Sequence, residues 1–128
     1  QTKVGGGVLV LPCEYPGCRK PGQKHHIVFR SQGGMNINVN YKYLCAEHHT
    51  GSKAAVHNNR EYDLQLKREM QDRLFKIFNQ DTYLLDEIAE KIGYDKRRLE
   101  KRFKTVSQIS GRYKREDIVR HLMGDRLY

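Results

Sequence analysis

The chain has 128 residues, of which 38% are hydrophobic and 30% charged, and its formal net charge is +9. This length suits one domain, or a small domain with a helical extension. With this composition any hydrophobic core is thin, and a small domain with a thin core often needs a metal or a disulfide for stability. No apolar run approaches the roughly 18 residues that a transmembrane helix needs. The apolar opening stretch is also too short for a signal peptide, so we expect a cytoplasmic, intracellular protein with no membrane partner.

Short strands and turns are predicted for the first half of the chain. The apolar runs GVLVLP (residues 7–12) and HHIVF (residues 25–29) are separated by segments rich in Gly, Gln and Asn. All three cysteines and five of the six histidines lie between residues 13 and 57. Three cysteines cannot all pair within the chain, and a cytosolic setting disfavours disulfides, so this pattern indicates metal binding.

Helices are predicted for the second half. Asn59 can cap a helix, and apolar residues then recur at steps of three or four to Phe78. A second apolar stripe begins at Leu84 and ends at Gly93, and a basic helix over residues 96–104 follows after a short turn. A last short helix is expected at REDIVRHL (residues 115–122). We therefore predict an all-helical region over 60–128, with a helix-turn-helix-like segment at about residues 82–115.

The positive charge is concentrated in this segment. Residues 96–115 contain nine Lys or Arg and one acid, which accounts for +8 of the net charge of +9. Such a concentration favours a polyanionic partner, most often nucleic acid. The residues expected to bind double-stranded DNA in the second helix are Lys96, Arg97, Arg98, Lys101, Arg102 and Lys104.

Two pairs of soft ligands predict a structural metal site. Cys13 and Cys18 flank EYPG, and Cys45 lies three residues before His48. Thiolates and imidazole in this combination are the ligands that zinc prefers in closed, tetrahedral structural sites. Zinc binding contributes on the order of 10 kcal/mol to the folding of small metal-dependent modules. The spacing therefore predicts a structural zinc ion that stabilises the first half.

Four histidines remain once His48 is assigned to zinc: His25, His26, His49 and His57. Hydrolysis of a phosphodiester needs a base for the attacking water and a cation for the charge that develops on the phosphate. Neutral imidazoles can serve both purposes near pH 7. Four of them within 33 residues therefore favour a catalytic site over a set of unrelated core histidines.

The segments KHHIVFRSQGG, NYKYLCAEHH and AVHNN resemble the HNH (ββα-metal, or His-Me finger) endonucleases, over roughly residues 13–59. The resemblance implies an α+β fold, with a zinc-stabilised ββα-metal nuclease module in residues 1–59 followed by the helical extension 60–128. It assigns His25 as a ligand of the catalytic metal and His26 as the general base. It also places an asparagine before Leu44-Cys45 that ties the loop and orients the base, for which Asn40 fits best.

Some assignments within this resemblance stay open. Asn36 and Asn38 are rivals of Asn40. The second cluster is C-x2-H rather than the common C-x2-C, so His48 and His49 could exchange roles. The insertion TGSKAA separates His49 from His57, and both are candidate ligands of the catalytic metal.

The resemblance implies a metal-dependent DNA endonuclease that leaves a 5′-phosphate and a 3′-hydroxyl. Arg30 is a candidate contact to the scissile phosphate. Magnesium or manganese is the expected catalytic cation, although imidazole-rich sites also accept nickel, cobalt or zinc. A monomer should nick one strand, whereas a homodimer could break both. The combination with a helical extension resembles phage-borne or homing nucleases, with restriction and packaging as other roles.

A non-catalytic zinc-stabilised DNA-binding regulator is the main alternative, and an RNA-directed protein is a second one. The regulator would explain the charge and the thiolates, but not the pair His25-His26. Adjacent side chains in a regular strand point to opposite faces. If both rings serve one site, we expect the pair at a strand end or a bulge.

Overall fold

The structure is a computed structural model that describes residues 2–4 and 8–128. Gly7, the first residue of the first apolar run, lies outside the described residues. The strands are β1 (Thr2–Val4), β2 (Val8–Val10), β3 (Gln23–His26), β4 (Tyr41–Leu44), β5 (Thr82–Tyr83) and β6 (Tyr113–Lys114). The α-helices are α1 (Arg60–Ile77), α2 (Leu85–Ile92), α3 (Lys96–Arg102) and α4 (Arg115–Leu122). The described part of the chain therefore has a mixed α+β fold, which confirms the predicted fold class.

The strands pair as three antiparallel two-stranded units: β1 with β2, β3 with β4, and β5 with β6. In the β3–β4 pair His25 lies opposite Lys42, and His26 lies opposite Tyr41. The strand stops at His26, before the end of the apolar run from which it was predicted. It stops there because the N–H and C=O of Val28 bond to the Asn40 side chain instead of continuing the β ladder.

Helix α1 begins and ends close to its predicted positions. The Asn59 side chain accepts a hydrogen bond from the Tyr62 backbone N–H, so the predicted cap is confirmed. The helix buries Leu66, Met70 and Leu74 at four-residue spacing. These side chains join the same hydrophobic core as residues of the first half, so α1 packs beneath the segments that carry the histidines.

Residues 60–128 are not all-helical, and this part of the prediction is wrong. Strands β5 and β6 pair antiparallel across about thirty residues of chain, with Tyr83 opposite Tyr113. Both tyrosines are buried, and the Arg112 guanidinium bonds to Thr82 beside them. Two-residue strands are too short to give an alternating sequence pattern, which is why the pairing was missed.

Helices α2 and α3 contact each other across the predicted turn. Gly93 ends α2 in the left-handed region, at φ of +67°. The Asp95 carboxylate then accepts a hydrogen bond from the Arg98 N–H and caps α3. Helix α3 ends at Arg102, two residues before the predicted end, because the chain turns to bury Phe103.

One hydrophobic core runs through both predicted ranges. It includes Ile27 and Leu44 from the first range and Leu74, Leu99 and Ile118 from the second. The boundary after residue 59 stays a prediction, and it coincides with the start of α1. In the described part of the chain, no helix has the length and apolarity needed to cross a membrane.

Candidate metal centres and catalytic site

The first cluster brings Cys13, Cys18, Cys45 and His48 together, with their ligand atoms within 4.8 Å of one another. The Sγ atoms of Cys18 and Cys45 are 3.8 Å apart. His48 Nδ1 lies 3.4 Å from Cys13 Sγ and 3.3 Å from Cys45 Sγ. Tetrahedral zinc, at about 2.3 Å from sulfur and about 2.0 Å from nitrogen, spaces its ligands by about 3.8 Å (S–S) and about 3.5 Å (S–N). This cluster could therefore hold a metal such as zinc.

The surroundings of the cluster restrict its access to water. Cys13 and Cys45 are buried, and the Tyr15 ring stacks on the His48 ring at 3.9 Å. Burial raises the pKa of the Cys13 thiol. Burial also opposes ionisation of Cys45, but hydrogen bonds from the His48 backbone and from the neighbouring thiols outweigh it and lower its pKa. The lowered pKa of Cys45 makes its thiolate, the form that binds a metal, easier to form than that of an unperturbed cysteine.

The second cluster consists of His25, His49 and His57, whose ring nitrogens also lie within 4.8 Å of one another. The Nε2 atoms of His49 and His57 are 3.0 Å apart. Two nitrogens that bind one divalent metal at about 2.1 Å lie roughly 3.0–3.4 Å apart. The geometry of the three imidazoles therefore fits a shared cation.

The orientation of His49 follows from the strand register. Gln23 and His25 are two residues apart in β3, so their side chains leave the strand on the same side. The Gln23 Oε1 atom accepts a hydrogen bond from His49 Nδ1 at 2.9 Å. Because Nδ1 carries the proton, His49 Nε2 keeps its lone pair for a metal.

The buried ring of His25 gives the strongest indication that this cluster binds a cation. The residue is only 2% exposed, and its Nε2 atom is buried without a hydrogen-bond partner among the described residues. An unpartnered buried nitrogen is costly unless something binds it. Burial, followed by the nearby His49 and His57, lowers the pKa of His25 to about 3. The ring is thus neutral near pH 7, as a metal ligand must be.

His26, the adjacent residue, makes a different set of contacts at the end of β3. Its Nε2 lies 2.8 Å from Asn36 Oδ1, which also accepts a hydrogen bond from the Arg30 guanidinium at 3.2 Å. An amide oxygen only accepts, so His26 Nε2 must carry the proton. The bare Nδ1 of His26 is then the atom that could accept a proton from water.

Asn40 is fully buried and closes the loop that follows β3. Its Oδ1 accepts from the Val28 N–H at 2.7 Å, and its Nδ2 donates to the carbonyls of Val28 and Met35, both at 3.0 Å. These bonds tie the loop but do not reach the His26 ring. The side chain that holds His26 is Asn36, which the sequence offered only as a rival of Asn40.

Both members of the histidine pair face one cavity of about 350 Å³. The pair lies at the end of a strand, where the sequence analysis expected it. Arg30, the candidate phosphate contact, is exposed at the same cavity. The lining residues are Lys24, His25, His26, Phe29, Arg30, Ser31, His49 and His57.

Two further residues at this site were not found from the sequence. The Phe29 ring stacks on His57 at 5.4 Å, and the ammonium of Lys67 lies 4.7 Å from the centre of the Phe29 ring. Lys67 is 2% exposed and pairs with Asp63 at 2.7 Å. Lys67 interrupts the apolar stripe on the second turn of α1, and this interruption is the sequence feature that could have identified it.

The predicted DNA-binding residues lie on α3 and just after it. All six are exposed: Lys96, Arg97, Arg98, Lys101, Arg102 and Lys104. Lys96 also pairs with Asp86 at 2.5 Å. Arg102 differs from the other five, because its guanidinium reaches the carbonyls of Gly33 and Gly34 in the loop that follows β3.

Comparison of the chain with protein-family models, with curated proteins and with solved structures gave no match.

Proposed function

We propose that this chain is a metal-dependent DNA endonuclease of the HNH type. The observation that carries the proposal is the buried, unpartnered Nε2 of His25, which lies with His49 and His57 in a geometry suited to one cation. His26 lies next to this group with one bare ring nitrogen, and both histidines line the same cavity. A cation site next to an oriented imidazole is the arrangement that phosphodiester hydrolysis needs.

The proposed fold is the ββα-metal module formed by β3, β4 and α1. The hairpin supplies His25 and His26, and the short π-helical turn Glu47–Gly51 supplies His49. His57 lies in a 3-10 turn just before α1. The module is thus assembled from the segments in which the sequence resembles the HNH endonucleases.

In the proposed reaction, Nδ1 of His26 removes a proton from the attacking water. Asn36 fixes the ring for this step by accepting the Nε2–H bond. A divalent cation held by His25, His49 and His57 would stabilise the negative charge on the phosphate and on the leaving 3′ oxygen. Arg30 lies at the cavity and can contact a phosphate oxygen, while Asn40 keeps the loop between Val28 and Met35 closed.

We further propose that the metal of the cysteine cluster is zinc with a structural role. The ligand spacing fits tetrahedral coordination, and His48 rather than His49 lies with the thiolates. Double-stranded DNA is the proposed substrate, because the exposed basic residues of α3 suit a phosphate backbone.

The test is incubation of supercoiled plasmid with the purified protein and Mg²⁺, Mn²⁺, Ni²⁺, Co²⁺ or Zn²⁺ in turn. Relaxed circles would indicate a nicking monomer, and linear product would indicate paired cuts. His26→Ala should fold, bind DNA and retain its metals, yet lose about 10²–10⁴-fold in cleavage rate. Equal cleavage by this variant would refute the role of His26.

One alternative has its own supporting observation. The exposed basic helix α3 would equally suit a DNA-binding regulator without catalysis. If the chain is such a regulator, the wild type should bind duplex DNA and leave the plasmid intact with all five metals. Plasmid cleavage that is lost in His26→Ala would exclude it.

A further inference from the structure

We infer that Arg102 is a positioning residue, which holds helix α3 against the loop that follows β3, so that the bases contacted by α3 determine where the strand is cut. This inference rests on the proposed endonuclease function. It departs from the sequence-based assignment of Arg102 as a DNA contact.

The first contact joins the end of α3 to the loop. An Arg102 guanidinium nitrogen lies 3.4 Å from the carbonyl oxygens of both Gly33 and Gly34. Hydrogen bonds from a charged donor are stronger than those between neutral groups. The Arg102 side chain is therefore occupied by protein carbonyls at the point where α3 meets the loop that follows β3, the loop whose Arg30 and Ser31 line the histidine cavity.

The second contact holds the same end of α3 from the side of α4. His121 Nε2 donates to the Arg102 carbonyl, and His121 Nδ1 lies 2.6 Å from Asp125 Oδ1. The Phe103 ring packs edge-on against the His121 ring at 4.9 Å. The backbone of Arg102 is thus held to α4, while its guanidinium makes the described hydrogen bonds from α3 to the loop.

The third contact closes the junction between the C-terminal turn and the loop. Gly124 has φ of +84°, and a Cβ built on it would lie 2.1 Å from the Gln32 carbonyl oxygen. A Cβ on Gly33 would lie 3.3 Å from the Gly124 Cα. The loop and the turn after α4 therefore meet in backbone-to-backbone contact.

The same loop leads directly to the proposed base. Arg30 and Asn36 lie on either side of Gly33-Gly34, and both take part in the hydrogen bonds that hold His26. The Gly34 N–H bonds to the Phe29 carbonyl at 2.9 Å, and a Cβ on Gly34 would lie 1.8 Å from the Val28 carbonyl oxygen. A loop packed this closely cannot adjust freely, so a shift of α3 would move the partners of His26.

This geometry limits the substrate. Helix α3 has seven residues and is therefore about 10 Å long, the length of roughly three base-pair steps. With its last residue bound to the loop at the site, the bases that it contacts should lie within one turn of the duplex, about 10 base pairs, from the cut. The expected substrate is a duplex with the contacted bases and the scissile phosphate on one continuous turn.

The test maps cleavage on a plasmid library with randomised inserts, digested in Mn²⁺ and sequenced at the new ends. The wild type should cut at a constant distance from the sequence that it selects, and this distance in base pairs is the offset. Arg102→Ala should select the same sequence but cut at several neighbouring positions, about 10-fold more slowly, because small displacements of reacting groups are costly. Arg102→Lys should partly restore the constant offset, since an ammonium can still bond a carbonyl.

Arg97→Ala is the matched control. It removes an exposed cation from the same helix without touching the loop. It should weaken duplex binding in the absence of divalent metal and leave the offset constant. Arg102→Ala should weaken that binding less than Arg97→Ala does.

A readout that needs no cleavage separates this inference from the proposed function. Amide hydrogen exchange at Gly33, Gly34 and Asn36 should rise in Arg102→Ala and remain at the wild-type rate in Arg97→Ala. The inference is wrong if Arg102→Ala leaves the amide exchange rates unchanged, or if it leaves both the cleavage offset and the cleavage rate unchanged. The endonuclease proposal would still stand in either case. A wild type that cuts nothing would overturn the endonuclease proposal and, with it, any role of Arg102 in placing the cut.

Discussion

The two clusters of the first half differ in what surrounds their ligand atoms. Cys13, Cys18, Cys45 and His48 satisfy one another, and Tyr15 covers the histidine. The cluster of His25, His49 and His57 offers only three ligand atoms, opens to a cavity and contains a buried nitrogen without a partner. A closed set of four ligands suits a structural ion, whereas three ligands leave positions for water and substrate.

Adjacent residues serve the two clusters. His48 and His49 both lie in the π-helical turn Glu47–Gly51, yet one ring joins the thiolates and the other joins His25. The turn is closed by the bond from the His49 N–H to the Cys45 carbonyl at 2.8 Å. Since one turn carries a ligand of each cluster, we expect the geometry of the open cluster to depend on the closed one.

The largest expected effect comes from loss of the closed cluster. In Cys45→Ser, or after removal of the proposed zinc by a chelator, residues 13–59 should unfold, because zinc binding supplies on the order of 10 kcal/mol to such modules. The open cluster should be lost with it. Metal content, circular dichroism and thermal unfolding measure this change. A folded, metal-free variant that still cleaves DNA would contradict the dependence.

His57→Ala should have the opposite pattern. The side chain is exposed, and its described hydrogen bond is to His49 within the cluster, so the fold and the zinc content should stay at wild-type values. Affinity for Mn²⁺ should fall at least about 10-fold, and cleavage should fall with it. Calorimetric titration and plasmid cleavage measure the two effects. If this variant unfolds, or if it keeps full activity, the proposed difference between a structural closed cluster and a catalytic open cluster is wrong.

Local features of the fold could be predicted because each depends on a few neighbouring residues. The Asn59 cap of α1 and the Gly93 end of α2 are confirmed. The spacing of the cysteines and His48 predicted a set of ligands that the structure does bring together. The cap and the helix end are each met within one turn of chain, and the ligand set consists of two local pairs, Cys13 with Cys18 and Cys45 with His48.

The features that could not be predicted depend on contacts distant in sequence. The β5–β6 pair joins Thr82 to Lys114, and no local pattern marks it. The different directions of the His48 and His49 rings follow from a π-helical turn that spacing alone does not specify. Asn36 and Asn40 are only four residues apart, and burial decides that Asn40 ties the loop while Asn36 holds His26.

Acid should destabilise the open cluster through His25. Its pKa is lowered to about 3 in the folded state, so between pH 6.5 and 3 the unfolded chain binds a proton that the folded chain does not. Stability is therefore highest above about pH 6.5 and falls as the pH drops. Between pH 7 and pH 5 this residue should cost about 2 kcal/mol of unfolding free energy.

The comparison that isolates this effect is wild type against His25→Gln, unfolded with urea at pH 7, 6 and 5 without added divalent metal. Protonation of the zinc ligands affects both proteins alike, so the difference between their unfolding free energies reports His25. That difference should change in favour of the variant as the pH falls. A constant difference across the three pH values would show that His25 is not kept neutral by burial.

The smallest effect expected is that of Asn36, whose described hydrogen bonds are to the proposed base His26 and to Arg30. Asn36→Ala removes the acceptor for the His26 Nε2–H and for Arg30, so the ring can rotate and carry its proton on either nitrogen. Cleavage should slow by about 10-fold, as is usual when a residue that orients a functional group is lost. Affinity for Mn²⁺ and the melting temperature should change little, because Asn36 is exposed.

Asn38→Ala is the matched control, since Asn38 is equally exposed and only two residues away. Its cleavage rate should equal that of the wild type. Equal rates for the two variants would mean that His26 is oriented by the strand end alone, and that the proposed base and the proposed metal ligands are positioned by the same backbone.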